Sequence, residues 1–278
     1  MQSHLSSNGV SENRGQPAAA SVLALIASAG IAILFTLTPA RQASDSKFPS
    51  IQDVAAESGT IRGQIYYSGT EISDLPALVK KGAVDVKDAH IAATQDIPNE
   101  RLLIDPESRG VANVFVYLTK SPENPRGEAW PVPADELTVR YDGCRLFPHA
   151  LFATTRQTIR VVDEDPLPNY MHVQAIINEV HVSLLLDMAP IQFRRSEKTP
   201  IEVFCDFHSW ESGYWLILDH PFAASSNRRG EFAITGLPPG KHTLKIWHEH
   251  VGYVQRGLDV EVVAGETLDL GRIEFSQP

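Results

Sequence analysis

The sequence predicts an all-β protein of the sandwich class that follows an N-terminal apolar helix. Strand-length runs rich in valine, isoleucine and aromatic residues recur from residue 60 to residue 275, and these residue types favour strands. Turn-forming residues separate the runs at spacings of about 8–12 residues, which is typical of sandwiches. Beyond the N-terminal run, no segment has the 3.6-residue period of an amphipathic helix.

The first 40 residues are predicted to be a signal peptide or a signal-anchor helix. No charged residue occurs between Gly15 and Ala40, and residues 18–37 are almost wholly apolar. A helix of about twenty residues crosses the ~30 Å core of a bilayer, whereas the apolar core of a signal peptide has about 7–15 residues. We therefore favour an anchor over a cleaved signal, with residues 41–58 as a polar linker. Either outcome places the protein in the periplasm or another extracytoplasmic compartment, with the membrane as a partner only if the helix stays uncleaved.

Charge and cysteine content limit the partners and the chemistry. The net charge is −10 without a basic stripe, which argues against nucleic acid as a partner. The two cysteines are Cys144 and Cys205. An oxidising compartment permits a disulfide between them, and that bond would remove Cys205 as a thiolate ligand.

The predicted strands fall into three groups along the chain. The first group comprises residues 60–67, 102–105 and 111–118. After a Pro-rich segment, 121–133, which we interpret as a linker or domain crossing, the second group comprises residues 137–141, 145–153, 158–163, 201–205 and 214–219. The third group comprises residues 230–234, 241–247, 258–263 and 267–275. Residues 80–95 show no clear period, and residues 176–187 fit a short helix or a pair of strands equally well.

The segment 201–211 carries the strongest chemical signal. Its alternation of apolar residues predicts a strand that ends at Cys205 and leads into a loop with His208. A thiolate and an imidazole three residues apart at the end of a strand are ligands that copper and zinc both accept. The alternative is a buried thiol beside an unrelated loop histidine, because such short motifs often occur without a metal.

Known catalytic motifs are absent from the sequence, and we predict that the protein is not an enzyme. It has no G-x-S-x-G, no HExxH and no glycine-rich phosphate loop. Several acidic residues are scattered over predicted loops, and this pattern is typical of a solvated face: Asp163, Glu164, Asp165, Glu179 and Asp187. In His248-Glu249-His250, a strand with Trp247 facing the core is favoured over a chelating histidine pair, which lacks a third ligand.

Residues 134–221 resemble a cupredoxin, the blue-copper fold. The resemblance to the first half of that fold lies in Leu146-Phe147-Pro148, Leu151-Phe152-Ala153, Gln157-Thr158-Ile159 and Asp163-Glu164-Asp165-Pro166. The resemblance to the second half lies in Cys205, His208 and Glu211, followed by Asp219-His220-Pro221 as in exported cupredoxin-like proteins. It implies a Greek-key barrel with a copper site at one end.

The flanking residues resemble a carboxypeptidase regulatory-like domain, which is a transthyretin-like β-sandwich. The matching segments are residues 60–65, 113–117, 230–240 and 243–246. The resemblance implies one discontinuous sandwich, formed by residues 59–122 and 222–276, with the cupredoxin-like domain inserted at 134–221. Insertion into a domain is physically feasible because chain termini commonly lie close together.

The departures from the cupredoxin pattern decide what the site is expected to do. The pattern places its first histidine ligand at Asn169 and its axial methionine at Glu211, while Cys205 and His208 remain. An amide oxygen is a poor ligand for copper(I), and a carboxylate favours copper(II) or zinc, so we predict an altered type 1 copper site with impaired electron transfer.

Nearby histidines offer a replacement for the missing ligand. His172 lies three residues after Asn169, and His149 follows Pro148. A set of Cys205, His208, His172 and Glu211 would suit zinc or copper(II) in a tetrahedral site.

The sequence therefore predicts an exported, non-catalytic cupredoxin-like protein with a copper or zinc site. The alternative is a metal-free interaction or scaffolding module of the cell envelope that binds carbohydrate or another envelope protein. In that alternative, Cys144 and Cys205 form a disulfide.

Overall fold

Short β-strands make up most of the described chain, which confirms the predicted all-β class. The computed structural model describes residues 58–72, 75–125, 127–179, 181–184 and 189–276. These residues form fifteen strands in four sheets and one short helix. The predicted N-terminal helix, 1–40, and nearly all of the linker, 41–58, lie outside the described residues. Within the described residues, no helix has the length and apolarity needed to cross a bilayer.

The strands fall into a first, a middle and a last group. The first group is β1 (Gly59–Tyr67) and β2 (Phe115–Leu118), with the helix α1 (Ala89–Ala92) between them. The middle group is β3 (Leu137–Tyr141), β4 (Leu146–Phe147), β5 (Ala150–Thr154), β6 (Ile159–Asp163), β7 (Tyr170–Val173), β8 (His181–Leu184), β9 (Ile201–Cys205) and β10 (Ser212–Leu218). The last group is β11 (Ala223–Ser225), β12 (Glu231–Leu237), β13 (Gly240–His248), β14 (Gly252–Val262) and β15 (Thr267–Phe275).

The first and last groups together build one β-sandwich, which we call the split sandwich. One of its sheets has the order β12-β1-β15 and the other has the order β11-β2-β13-β14. In the first sheet β1 pairs antiparallel with β12 and parallel with β15. Inward-facing apolar residues of both sheets, among them Ile61, Val116, Leu244 and Phe275, form one buried core. The identity of this sandwich as a carboxypeptidase regulatory-like domain stays a prediction.

The middle group builds a second two-sheet unit, which we call the inserted sandwich. Its larger sheet has the order β5-β10-β9-β7-β8 and its smaller sheet has the order β4-β3-β6. The pairs β5–β10 and β3–β6 are parallel, whereas β9 is antiparallel to both β7 and β10. Tyr141, Met171, Val203 and Trp215 belong to its core and are fully buried.

Residues 78–97, which lie between β1 and β2, pack against one end of the inserted sandwich. We call them the cap segment. They include α1, and backbone hydrogen bonds between Val79 and Ile97 and between Leu78 and Ile97 close them into a compact loop. Their buried apolar side chains share a small core with Cys144 and Leu167. A segment that belongs by sequence to the split sandwich therefore covers the inserted one.

Several strand predictions differ from the structure, and β11 as well as β7 was not predicted. Residues 102–105 form only an isolated bridge between Ile104 and Val111. The predicted strand 145–153 is divided into β4 and β5, with Pro148 between them, because proline has no backbone N–H for a sheet ladder. The strand β7 was not predicted, since only four residues form it.

Candidate metal centre

The strand β9 ends at the site and delivers Cys205 to it. Residues of β9 alternate between buried and half-buried, and Cys205 is buried together with Ile201 and Val203. The loop that follows folds back on the strand, because the Cys205 amide donates to the Glu211 carbonyl oxygen at 3.0 Å. The Glu211 amide in turn donates to the His208 carbonyl oxygen, also at 3.0 Å. This closed loop brings the side chains of residues 205, 208 and 211 together.

Four side chains converge at this end of the inserted sandwich, and we call them the cysteine–histidine cluster: Asn169, Cys205, His208 and Glu211. The His208 Nδ1 atom lies 3.6 Å from Cys205 Sγ, 3.1 Å from Asn169 Oδ1 and 3.5 Å from Glu211 Oε2. The Cys205 Sγ atom lies 3.7 Å from Asn169 Oδ1. All four residues are buried, so Asn169 meets three residues that lie 36 to 42 positions further along the chain in one buried site.

The separations between these atoms match the edges of a tetrahedral zinc site. With metal–sulfur bonds of about 2.3 Å and metal–nitrogen or metal–oxygen bonds of about 2.0–2.2 Å, a tetrahedron has sulfur–nitrogen edges of about 3.6 Å and nitrogen–oxygen edges of about 3.4 Å. The measured separations of 3.6 Å, 3.1 Å and 3.5 Å from His208 Nδ1 lie close to these values. One ion could therefore be held without a large movement of the side chains.

Hydrogen bonds outside the cluster orient its ligand atoms. Asn169 Nδ2 donates to Asp163 Oδ1 at 3.0 Å, which directs Asn169 Oδ1 toward the cluster. The Tyr170 amide donates to Cys205 Sγ at 3.3 Å and thereby stabilises negative charge on the sulfur. Such surrounding bonds fix the direction in which a ligand presents its lone pair.

Asp88 of the cap segment holds the far side of the His208 ring. Its Oδ2 atom lies 3.0 Å from His208 Nε2, and the hydrogen bond from His208 lowers the pKa of the Asp88 carboxyl. When Nε2 carries the proton for this bond, Nδ1 has a free lone pair that faces the cluster. The sequence did not point to Asp88, because the cap segment shows no clear period and the contact spans 120 residues.

Glu211 is the most unusual member of the cluster. Its side chain is 0% exposed, and within the described residues neither carboxylate oxygen has a hydrogen-bond partner of normal geometry. Burial raises its pKa to about 8, and the charges of Asp165 and Asp163 act in the same direction. Burial also raises the pKa of the Cys205 thiol. A buried acid whose oxygens make no hydrogen bond of normal geometry is costly unless a proton or a cation neutralises it.

The structure does not bring His172 to the cluster. On β7, Met171 faces inward opposite Cys205, whereas His172 points to the other side of the sheet. There its ring stacks on Phe204 with a centroid distance of 4.7 Å, and Nδ1 lies 3.3 Å from Asp206 Oδ1. The hypothetical ligand set with His172 therefore does not form, because neighbouring residues of a strand face opposite sides. Asn169, just before β7, occupies that place instead.

The other predicted candidates lie elsewhere. The His149 Nε2 atom contacts the Glu249 carboxylate of the split sandwich, away from Cys205. Cys144 and Cys205 are both free, buried thiols in the structure and form no disulfide. His248 is fully buried, its ring meets Phe275 edge-on, and burial lowers its pKa to about 3. As predicted for that stretch, Trp247 faces a core.

Comparisons with known proteins find similarity to solved structures. No protein-family profile and no curated protein matches the chain. Amicyanin from Paracoccus versutus is 17% identical and aligns over 37% of this chain and 96% of its own, with a TM-score of 0.24. A purple cupredoxin from Nitrosopumilus maritimus is 18% identical over 29% and 98%, with a TM-score of 0.25. A copper-containing nitrite reductase from Thermus scotoductus is 20% identical over 35% and 27%, with a TM-score of 0.26. At these TM-scores we take no function from the neighbours.

Proposed function

We propose that this chain is an exported, non-catalytic cupredoxin-like protein whose cysteine–histidine cluster binds a divalent ion, zinc or copper(II). The ligands would be Cys205 Sγ, His208 Nδ1, Asn169 Oδ1 and a Glu211 oxygen. The observation that carries the proposal is that four separations among these atoms are 3.1–3.7 Å, close to the edges of a tetrahedral site. Export is supported by the apolar run 18–37.

The ligand types favour storage or structural binding of an ion over electron transfer. A bound ion supplies positive charge to a buried thiolate and carboxylate that otherwise lack it. Reversible copper chemistry uses two imidazoles, one thiolate and a weak axial ligand. Here an amide oxygen and a carboxylate stand beside one imidazole and one thiolate, and these hard oxygens stabilise copper(II) over copper(I).

Metal binding by paired histidine variants tests the proposal. The full chain is purified, stripped with a chelator, kept reduced, and titrated with Zn²⁺ by calorimetry, with elemental analysis after desalting. We expect His208→Ala to weaken the binding of the first equivalent by at least about 100-fold, since it removes a direct ligand. The control His172→Ala removes the histidine on the opposite face of β7 and leaves the affinity unchanged.

Two results would contradict the proposal. One is a stripped wild-type protein that retains no Zn²⁺ and no Cu²⁺. The other is equal loss of affinity in both histidine variants, which would place the ion outside the cysteine–histidine cluster.

A further inference from the structure

A second group of ligand atoms lies next to the cysteine–histidine cluster and shares one residue with it. The Cys144 sulfur, an Asp165 oxygen and a Glu211 oxygen all lie within 4.8 Å of one another. We call this group the Cys144 subsite. Cys205, His208 and Glu211 meet the same distance limit among themselves, so the Glu211 carboxylate belongs to both groups.

The fold presents Cys144 and Asp165 to each other. Cys144 lies in the tight turn between β3 and β4, with a φ of 57°, and its side chain is buried. Its amide donates to both carboxylate oxygens of Asp165, at 3.1 Å and 3.0 Å. Asp165 follows β6, the parallel neighbour of β3, so two adjacent strand ends position the thiol and the carboxylate.

The two oxygens of Glu211 give independent evidence of a missing positive charge. Both are fully buried, and among the described residues neither makes a hydrogen bond of normal geometry, although His208 Nδ1 lies 3.5 Å from Oε2. A carboxylate that binds a single ion through one oxygen would leave its second oxygen unsatisfied, and such a group costs free energy. Here two groups of ligand atoms lie within 4.8 Å of a Glu211 carboxylate oxygen, so the carboxylate is close enough to serve both.

The four acidic side chains of the two ligand groups, when all are ionised, carry the charge that two divalent ions would balance. Thiolates at Cys144 and Cys205 and carboxylates at Asp165 and Glu211 carry four negative charges when ionised. Among the described residues, neither lysine nor arginine forms an ion pair with any of these four, and the cationic partner in reach is His208, 3.5 Å from Glu211. One divalent ion balances two of these charges, so all four groups can be ionised and balanced together only when a second divalent ion binds.

We propose that Glu211 bridges two cation sites, so that the Cys144 subsite holds a second zinc or copper(II) ion beside the ion of the cysteine–histidine cluster. This inference rests on the proposed function, because the shared ligand needs the first ion. The second ion has three protein ligands, which leaves a fourth position for water. Asp165 is half-buried, whereas Cys144, Cys205 and Glu211 are buried. Solvent and an incoming ion would therefore reach the two sites from the side of Asp165.

Counting bound ions tests the inference. The reduced full chain, stripped by a chelator, is titrated with Zn²⁺, and bound zinc is measured after desalting. We expect two equivalents for the wild type and one equivalent for Cys144→Ser and for Asp165→Asn. The matched control is Glu164→Gln, which changes the exposed neighbouring acid that pairs with Arg140 and keeps two equivalents.

Cobalt provides a second measurement that can be made on the wild type itself. Thiolate-to-Co²⁺ charge transfer absorbs in the near ultraviolet, so the wild-type absorption rises with the first and again with the second equivalent when each ion has its own cysteine. Asp165→Asn retains both thiols and is expected to lose the second rise.

The outcomes separate this inference from the proposed function. A wild type that binds one equivalent, with Cys144→Ser and Asp165→Asn unchanged, overturns the second site and leaves the first intact. A wild type that binds no ion overturns both.

Discussion

At the scale of single residues, Glu211 is the side chain that most needs explanation. It occupies the place where the cupredoxin pattern expects a methionine, and it is fully buried beside Cys205 and His208. An apolar methionine side chain can be buried there without hydrogen bonds, whereas a buried carboxylate needs a proton or a cation. The consequences can be measured with and without metal.

In metal-free protein, Glu211→Gln is expected to be stabilising at high pH. The pKa of Glu211 in the folded state is about 8, above its ordinary value of 4.5, so the folded state keeps the proton longer than the unfolded state. The contribution of protonated Glu211 to the stability of the fold is fully present below about pH 4.5. It is lost as the pH rises through the folded-state pKa of about 8. Glutamine cannot ionise. We therefore expect the free energy of unfolding of the variant at pH 8 to be larger than that of the wild type by roughly 1–3 kcal/mol.

Urea unfolding at pH 5 and pH 8 measures this difference. Glu164→Gln is the control, since Glu164 pairs with Arg140 at the surface. A Glu211→Gln variant that is less stable than wild type at pH 8 would show that the carboxylate is already satisfied in the folded protein.

Introducing the ligand set of a type 1 site is expected to produce blue-copper chemistry. The double variant Asn169→His, Glu211→Met supplies two imidazoles, one thiolate and a thioether, the ligand set of a type 1 site. With Cu²⁺ it should give an intense absorption near ~600 nm, which that ligand set produces, while the wild type does not. If the double variant binds no copper, the positions assigned to residues 169 and 211 in the cupredoxin pattern are wrong.

At the scale of elements, the cap segment determines how His208 is oriented. The segment carries Asp88, which contacts His208 Nε2 at 3.0 Å, and its apolar residues pack against Cys144 and Leu167. The contact joins the region between β1 and β2 to the loop that follows β9. The cap segment, which precedes the inserted sandwich in the chain, thus supplies a hydrogen-bond partner of His208.

Asp88→Ala is expected to weaken metal binding without abolishing it. Loss of the bond to Nε2 frees the histidine ring to rotate and to take the other tautomer, and partners of this kind are worth about 10–100-fold in metal affinity. Zn²⁺ affinity measured by competition with a chelator checks this. Asp85→Ala, an exposed aspartate in the same segment, should leave the affinity unchanged, and an equal effect of both substitutions would point to general electrostatics.

Elements with a regular pattern were predictable, and contacts between distant elements were not. The alternation in β9 correctly placed Cys205 inside, and the closed loop after it keeps His208 and Glu211 nearby. His172 was assigned to the site because β7 was not recognised as a strand, so that its outward direction was unknown. The roles proposed for Asp88 and Cys144 depend on how separate elements pack, which a local sequence pattern does not contain.

At the scale of the whole molecule, the two sandwiches share a buried contact. Phe115, Tyr117 and Trp247 of the split sandwich pack with Leu216 and Leu218 of the inserted sandwich. Since β2 and β13 lie on one side of this cluster and β10 on the other, neither sandwich can lose its strands there without exposing apolar surface of its partner. We therefore expect the two to unfold together.

Leu216→Ala tests this coupling. Leu216 is fully buried, and truncation of such a leucine costs about 2–4 kcal/mol. In calorimetry we expect one transition, shifted to lower temperature by roughly 5–15 °C. The exposed residue Val84 serves as the control, and Val84→Ala should not shift the transition. Two separate transitions, of which only one moves, would show that the sandwiches are independent.

The parallel pairing of β1 with β15 has a consequence for biosynthesis. β1 begins the described chain, while both of its neighbours in the sheet, β12 and β15, belong to the last group of strands. During synthesis from the amino end, the middle group of strands is therefore complete before β1 has its neighbours β12 and β15 to pair with. We expect the inserted sandwich to form on newly made protein before the split sandwich can close.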